Sequence, residues 1–319
     1  MTRLLEVKNL SVRFPVSSEL FKKNYLLAVD DVSFAIDRGK TLAIVGESGS
    51  GKSTTALAVA KLVEAHRGQV LLDGENVLQK DGDALRNVRR KVQFIFQDPY
   101  SSLNPRKRAQ DIVTEPLSSL TRKSRAEKKI IVDELFEAVG LRPEQKRLFP
   151  HQFSGGQRQR IGIARALATK PELIICDEPV SALDVAVQAQ ILNLLRKLQR
   201  EFGLTYLFIS HDLGVVQHMC NHVAVMYAGK IVEHGSRSAL FNAPAHPYTE
   251  ALLSAVPNVN KKQRAAQKRI LLPGDPPNPV DLPPGCRFAN RCPLSMDKCF
   301  SEAPVLEDKG DDHLSACFL

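Results

Sequence analysis

The sequence predicts an α/β fold in which helices cover a mostly parallel sheet. Short apolar runs such as 41–46, 173–178 and 205–210 alternate with segments that have the apolar spacing of helices. The first of these runs also opens into a glycine-rich turn that is followed by a helical pattern. With 319 residues, of which 43% are hydrophobic, the chain is long enough for one large α/β domain and an appendage.

The individual elements follow from apolar periodicity. Strands are expected at 4–14, 27–36, 41–46, 68–72, 92–96, 173–178, 205–210 and 222–235. Helices are expected at 53–63, 156–168 and 185–202, and within the charged stretch 104–150, where an amphipathic helix should end at Gly140. That stretch predicts a helical subdomain, over about 98–160, inserted into the sheet domain.

The composition changes near Pro257. A Lys/Arg-rich segment at 261–269 precedes 272–285, which carries six prolines and is typical of a linker. Four of the six cysteines follow it. We therefore predict a main domain over 1–257, a Pro-rich linker over 258–285 and a Cys-rich motif over 286–319.

Charge and hydropathy limit the setting in which the protein works. No apolar run reaches the roughly 18 residues of a membrane span, and the first residues lack a signal-peptide pattern, so we expect a cytosolic chain with reduced or metal-bound cysteines. The net charge of +9 favours acidic partners in general, or reflects only a lysine-rich surface. Trp is absent and 6% of the residues are aromatic, so no direct nucleic-acid partner is expected.

The segment GESGSGKST (46–54) matches the phosphate-loop pattern G-x-x-x-x-G-K-[ST]. Its glycines let backbone N–H groups turn towards phosphates, Lys52 would reach the β- and γ-phosphates, and the Ser53 hydroxyl would bind Mg²⁺. The alternative is a plain glycine turn, but the strand–loop–helix context favours ATP. The predicted ATP-binding residues of this loop are Gly46, Glu47, Ser48, Gly49, Ser50, Gly51, Lys52, Ser53 and Thr54.

The segment LIICDEP (173–179) is an apolar strand that delivers two carboxylates at its end. Asp177 can hold Mg²⁺ through water, and Glu178 can polarise an attacking water. Paired acids after a buried strand are a weak signal alone and a strong one together with the phosphate loop. Cys176 is interpreted as a core residue.

In the segment FSGGQRQRIGIARAL (153–167), Ser154 should cap a helix whose start suits an anion. Together with the two preceding motifs, this segment resembles the signature of the ATP-binding cassette (ABC) family. The resemblance covers residues 1 to about 257 and implies that the signature, with the aspartate-loop residue, contacts the ATP of a partner cassette. The residues so implied are Ser154, Gly155, Gly156, Gln157 and Asp184.

The same resemblance assigns three further residues. Gln97, in FIFQDP, matches the glutamine loop that senses Mg²⁺, and His211, in FISHD, matches the switch histidine at the γ-phosphate. Phe14 matches the aromatic residue that stacks on adenine, and its alternative is a strand residue packed in the core. The implied catalytic residues are Glu178, His211 and Lys52, and the implied Mg²⁺ ligands are Ser53, Gln97 and Asp177.

Three segments are similar to the ATPases of oligopeptide/dipeptide importers, particularly their F-type subunit: 95–106, 176–195 and 246–257. This implies ATP hydrolysis that drives import through two permease subunits, beside a second, D-type ATPase and with an extracytoplasmic solute-binding protein. It also implies a place at the cytoplasmic face of a bacterial inner membrane. The alternatives are a non-transport ABC ATPase acting on ribosomes or DNA, and a regulatory module without turnover.

The tail cysteines are Cys286, Cys292, Cys299 and Cys317, spaced C-x5-C-x6-C-x17-C. A reducing cytosol disfavours disulfides, and the absence of close C-x2–4-C pairs disfavours zinc. Four thiolates also satisfy a [4Fe–4S] cluster, and the importer resemblance implies one here. Arg287 and Arg291 would then offset the charge of the cluster. A cluster, zinc and no metal all stay open.

Overall fold

The computed structural model of the chain describes residues 2–16, 24–256, 269–310 and 312–319. Two units of structure are distinguished. The helical unit comprises Met1–Leu4, Ile36–Lys40 and Gln79–Phe208, and the strand-rich unit comprises Leu5–Ala35, Thr41–Leu78 and Ile209–Leu319. The Lys/Arg-rich segment predicted at 261–269 lies outside the described residues except for Arg269.

The elements alternate along the chain as the sequence predicts. The first half contains β1 (Arg3–Val16), β2 (Asn24–Asp37), β3 (Thr41–Val45), α1 (Lys52–Val59), β4 (Arg67–Leu72), β5 (Glu75–Asn76), α2 (Gly82–Lys91), β6 (Val92–Ile95), α3 (Ala109–Leu120) and α4 (Arg125–Ala138). The second half contains α5 (Gly155–Leu167), β7 (Leu173–Asp177), α6 (Val185–Phe202), β8 (Thr205–Ser210), α7 (Leu213–Met219), β9 (His222–Tyr227), β10 (Lys230–Ser236), α8 (Arg237–Asn242), α9 (Pro247–Ser254), α10 (Asp297–Ser301), β11 (Glu307–Asp308) and β12 (Leu314–Ser315).

The helical unit is built on a parallel strand pair. β6 runs beside β7 in parallel register from Val92 opposite Leu173 to Ile95 opposite Cys176. All five residues of β7 are buried, as expected for a strand covered on both faces. Helices α3, α4 and α5 pack on one another, and α4 and α5 both begin with a capping box, which satisfies backbone donors of the first turn.

The strand-rich unit contains two sets of strands. One is a sheet in the order β2-β1-β4-β5, with β1 antiparallel to β4. In the other, β3 and β9 pair in parallel, and β9, β10, β12 and β11 continue in antiparallel pairs. The chain is therefore α/β with parallel strand pairs and covering helices, which confirms the predicted fold class.

The segment 222–235, predicted as one strand, is a hairpin. Ala228 and Gly229 have φ angles of +44° and +87° and turn the chain between β9 and β10. Two residues with positive φ are the geometry of a tight two-residue hairpin turn. Ala-Gly is a weaker turn signal than Asn-Gly, so the sequence of 222–235 does not indicate a turn between the two strands.

The Cys-rich tail packs within the strand-rich unit. β12 pairs antiparallel with β10, with Ser315 opposite Glu233. Phe288, in the tail, is buried against the rings of Tyr227 and Tyr248, at centroid distances of 5.2 and 5.4 Å. The predicted domain boundaries at 257 and 285 stay a prediction.

Within the part of the chain that the structure describes, no helix combines the length and the apolar character that crossing a membrane requires.

Candidate active site

The phosphate loop lies between β3 and α1 in the strand-rich unit. Its fixed glycines are enforced by close packing: a Cβ on Gly46 would lie 2.1 Å from the Met226 carbonyl oxygen, and one on Gly51 would lie 2.3 Å from that of Ala28. Both residues also have positive φ, +153° and +103°. Only glycine fits such positions. The loop therefore turns tightly enough for the start of α1 to present its backbone N–H groups.

Lys52 is almost wholly buried within the loop that it follows. Its Nζ donates hydrogen bonds to the carbonyl oxygens of Gly46, at 2.9 Å, and Glu47, at 2.8 Å. The ammonium thereby holds the first two residues of the loop close to the start of α1. Its position in the loop agrees with the role predicted for it, which stays a prediction.

Glu178 and Gln97 are brought together by the parallel register of β6 and β7. Ile95 of β6 lies opposite Cys176 of β7. Gln97 and Glu178 each follow their member of this pair by two residues. Gln97 Nε2 donates a hydrogen bond to Glu178 Oε2 at 2.8 Å. Glu178 has a φ of +45°, a strained conformation for a residue other than glycine. The carboxylate is thus held at the strand end by its own backbone and by the glutamine.

The two residues before Glu178, at the end of β7, are buried. Asp177 is 9% exposed at the last position of β7. Cys176 is fully buried, and burial raises the pKa of its thiol. Cys176 is therefore a core residue, as predicted.

The signature lies at the start of α5. Ser154 Oγ accepts a hydrogen bond from the Gln157 N–H, and Gln157 Oε1 accepts one from the Ser154 N–H, so Ser154 caps the helix as predicted. A Cβ on Gly156 would lie 2.5 Å from Val187 Cγ1, in the first turn of α6. That helix is capped by Asp184, whose Oδ1 accepts the Val187 N–H at 3.0 Å. The signature and the aspartate loop are therefore packed together within the helical unit.

Phe14 and His211 both belong to the strand-rich unit. Phe14, on β1, is 40% exposed, which excludes the alternative of a core residue. His211 is exposed and follows β8 directly, before Asp212 caps α7 by accepting the Gly214 N–H. The stacking and switching roles of these residues are not tested by their positions and stay predictions.

The loop suits a phosphate and the acid-bearing strand suits magnesium. Ser50 Oγ is buried in the loop and, among the described residues, has no hydrogen-bond partner, which leaves a polar atom to meet a phosphate oxygen. Ser53, Gln97 and Asp177 offer hydroxyl, amide and carboxylate oxygens, the ligand type that Mg²⁺ prefers. The chemical types of these residues therefore suit ATP and Mg²⁺, and their assignment to one site stays a prediction.

The tail cysteines do not form a metal site in this structure. All six cysteines of the chain are free thiols. Over residues 2–16, 24–256, 269–310 and 312–319, no three or more His, Cys, Asp or Glu side chains are arranged to hold a metal ion. Burial, with smaller contributions from the other three tail cysteines, raises the pKa of Cys286. The structure thus does not support the predicted cluster or zinc.

Two residues at the phosphate loop were missed by sequence reasoning. Tyr248 Oη accepts the Glu47 N–H at 2.8 Å, and Arg291 forms an ion pair with the Glu47 carboxylate at 2.7 Å. Tyr248 stands in the segment 246–257, which suggested the importer family without suggesting a role. The only signal for Arg291 was its position before Cys292, and that signal suggested a different role.

Family models match two parts of the chain. Residues 29–181 match the ABC transporter family, and residues 232–299 match the C-terminal region of oligopeptide/dipeptide transporters. Together these regions include the phosphate loop, the signature and three of the four tail cysteines.

Curated relatives match almost the whole chain. The oligopeptide transport ATP-binding protein AppF of Bacillus subtilis is 47% identical over 99% of this chain and 97% of its own length. The dipeptide transport ATP-binding protein DppF of Haemophilus influenzae is 47% identical over the same shares. A probable peptide ABC transporter ATP-binding protein of Sinorhizobium fredii is 49% identical over 98% of this chain and 89% of its own.

Solved structures support the same fold. The dimeric cassette MJ0796, bound to ADP and phosphate after hydrolysis, superposes with a TM-score of 0.65 at 31% identity, over 73% of this chain and 99% of that one. The cassette cbiO1 of Clostridium perfringens gives a TM-score of 0.66 at 26% identity, over 76% and 92%. Together with the curated relatives, these structures show that the activity of the chain is ATP hydrolysis, and the relatives imply membrane permease partners. The chain belongs to the ATP-binding subunits of ABC transporters, in their oligopeptide/dipeptide branch.

Proposed function

We propose that this ATPase energises the import of di- or oligopeptides, or of related small solutes. The observation that carries the proposal is the identity of 47% with AppF over nearly the full length of both chains. The match of residues 232–299 to the C-terminal region of oligopeptide/dipeptide transporters supports the same branch. The relatives do not support the alternative of an ATPase acting on ribosomes or DNA.

Catalysis is assigned to Glu178, Lys52 and His211. Glu178, held by Gln97 at 2.8 Å, would orient the attacking water, and Lys52 and His211 would stabilise charge on the transferred phosphoryl group. Ser53, Gln97 and Asp177 would bind Mg²⁺, which would neutralise charge on the phosphates. The phosphate loop, Gly46–Thr54, binds the triphosphate, and Phe14 stacks on adenine.

The partners follow from the cassette architecture of the family. In this proposal Ser154, Gly155, Gly156, Gln157 and Asp184 serve the ATP of a second, D-type cassette, and that cassette's signature serves the ATP of this chain. The two ATPases would form a heterodimer beneath two permease subunits, at the cytoplasmic face of the bacterial inner membrane. An extracytoplasmic solute-binding protein would deliver the solute to the assembled complex.

The proposal is tested by separating ATP binding from turnover in the assembled complex. Glu178→Gln keeps the shape of the side chain and removes its charge, so ATP should still bind while turnover and peptide uptake fall by about a hundredfold or more. Lys52→Ala should instead weaken ATP binding. Near wild-type turnover of Glu178→Gln contradicts its catalytic role, and ATPase activity without uptake of any peptide contradicts the substrate.

The predicted [4Fe–4S] cluster at Cys286, Cys292, Cys299 and Cys317 stays a proposal from the sequence spacing and the family resemblance. Its support beyond the sequence is that the other three tail cysteines all interact electrostatically with the Cys286 thiol, although the four side chains are not arranged to hold a metal ion in this structure. No step of ATP hydrolysis depends on it. Iron and zinc analysis of anaerobically purified chain decides between cluster, zinc and no metal, with about four irons per chain expected for the cluster.

A further inference from the structure

Arg291 of the C-terminal tail forms a two-pronged ion pair with the phosphate loop. One guanidinium nitrogen donates to Glu47 Oε2 at 2.7 Å, and the other donates to Glu47 Oε1 at 3.1 Å. The Arg291 side chain is 9% exposed and that of Glu47 is 29% exposed. Parallel hydrogen bonds between guanidinium and carboxylate fix direction as well as charge. A residue of the tail thus holds the second residue of the phosphate loop.

Three polar groups of Glu47 contact their surroundings. Of these three, the carboxylate forms the ion pair with Arg291. The Glu47 N–H donates to Tyr248 Oη at 2.8 Å, and its carbonyl oxygen accepts a hydrogen bond from Lys52 Nζ at 2.8 Å. The side-chain carboxylate is held by Arg291. Through Glu47, the guanidinium is therefore two contacts away from the ammonium group assigned to the phosphates of ATP.

Arg291 is itself rigidly placed. Its Nε donates to the Pro273 carbonyl oxygen at 3.2 Å, and its guanidinium lies 5.8 Å from the centre of the Tyr227 ring. Tyr227 packs edge-on against Tyr248, at a centroid distance of 4.7 Å, and both rings contact Phe288. Since these rings are buried, the guanidinium has little freedom to leave the carboxylate.

We infer that Arg291 is a positioning residue of the phosphate loop, which it serves by neutralising the Glu47 carboxylate and fixing the backbone of Glu47 for ATP. The inference rests on the ATPase activity of the chain. An unpaired carboxylate at this place would repel the triphosphate, and a half-buried charge without its partner is costly. Arg291 therefore offsets the repulsion between the Glu47 carboxylate and the phosphates of ATP.

Arg287 supplies a matched control in the same tail. Its guanidinium forms an ion pair with Asp30, on β2, and donates a hydrogen bond to the Ala228 carbonyl oxygen, at 2.6 Å. It thus anchors the tail to the strand-rich unit without pairing with a carboxylate of the phosphate loop. Both arginines pair with protein groups, so the charge-offsetting role predicted for them at a metal cluster finds no support here.

The test compares ATP affinity of the full-length chain with steady-state kinetics of the assembled complex. We expect Arg291→Met to weaken ATP binding about tenfold, equivalent to about 1.4 kcal/mol. The KM for ATP should rise by a similar factor, while kcat at saturating ATP changes by less than about twofold, because loop positioning acts on binding. The double variant Arg291→Met/Glu47→Gln should recover affinity to within about threefold of wild type, since the unpaired charge is gone. Arg287→Met should bind ATP like wild type.

Three results overturn the inference: wild-type affinity in Arg291→Met, no recovery in the double variant, or an equal loss in Arg287→Met. The last two would mean that Arg291 only anchors the tail. If Arg291→Met fails to fold, Arg291→Lys decides, because an ammonium neutralises Glu47 without the two-pronged geometry. We expect about threefold weaker binding from it, and wild-type affinity would overturn the inference. A wild-type chain that binds no ATP would contradict the ATPase assignment instead.

Discussion

The helical unit and the strand-rich unit shape their parts of the nucleotide machinery in different ways. In the helical unit, strand register brings Gln97 to Glu178, and a capping box forms the signature around Ser154. In the strand-rich unit, the phosphate loop depends on side chains far away in sequence, since Arg291 lies 244 residues from Glu47. The signature is therefore built by residues of its own segment, whereas the phosphate loop is completed by a residue of the C-terminal tail. The two units should therefore respond differently to the same perturbation.

Acidification should produce the largest difference. Burial lowers the pKa of His234 and His246 to about 4 in the strand-rich unit, with His222 adding to the effect at His234. In the unfolded chain both histidines take up a proton near pH 6.5. The free energy of unfolding should therefore decrease as the pH falls from about 6.5 towards 4, by roughly 3 kcal/mol at pH 5 for the two histidines together.

The helical unit should resist this acidification. Three of its acids have lowered pKa values: Asp98 chiefly through the Tyr100 N–H, Glu127 chiefly through the Ser124 N–H, and Glu172, where burial opposes the shift, through Arg38 and Lys91. Their contribution is present above the unfolded pKa, near 4, and is lost only below it. Hydrogen-exchange protection factors at pH 5, corrected for the intrinsic exchange rate, should fall in β10 and α9 before they fall in α5. An equal fall in α5 would contradict the difference between the units.

A pair of glycines on α5 tests the helical unit alone. A methyl group on Gly156 would lie 2.5 Å from Val187 Cγ1, so Gly156→Ala should lower the free energy of unfolding by about 1–3 kcal/mol. Gly162 has no heavy atom within 4 Å of its Cβ position, so Gly162→Ala should be neutral or stabilise the chain by up to about 1 kcal/mol. Chemical denaturation measures both. ATP affinity of the isolated chain should not change, and a fall in Gly156→Ala would show that the signature does shape the phosphate loop.

A pair of tyrosines gives the smallest expected effect. Tyr248→Phe removes the acceptor of the Glu47 N–H, and Tyr206→Phe removes a donor to the Leu195 carbonyl oxygen, at 3.0 Å, in the helical unit. Each should cost about 1 kcal/mol of stability. Only Tyr248→Phe should also weaken ATP binding, by about threefold. Equal affinity of the two variants would remove Tyr248 from the support of the loop.

Local patterns predicted most of the longer strands and helices α1, α5 and α6, but not β5, α2, α7 to α10, β11 and β12. Helix 185–202 and strand 205–210 match the structure residue for residue, since their apolar spacing and flanking caps lie within the same segment. The cap at Ser154 was predicted for the same reason. The hairpin at Ala228 was missed because its turn depends on pairing between β9 and β10, which no single residue type announces.

By itself the sequence determined the main alternation of strands and helices, the phosphate loop, the signature and the carboxylates at the end of β7. These features are encoded by residues within a few positions of one another, whose spacing fixes helical or extended backbone. Only the tertiary structure decided that Arg291 pairs with Glu47 and that the four tail cysteines are not placed as a metal site. Both outcomes depend on ångström-scale placement of side chains from distant segments. That placement is set by core packing around Tyr227, Tyr248 and Phe288, and linear spacing does not specify it.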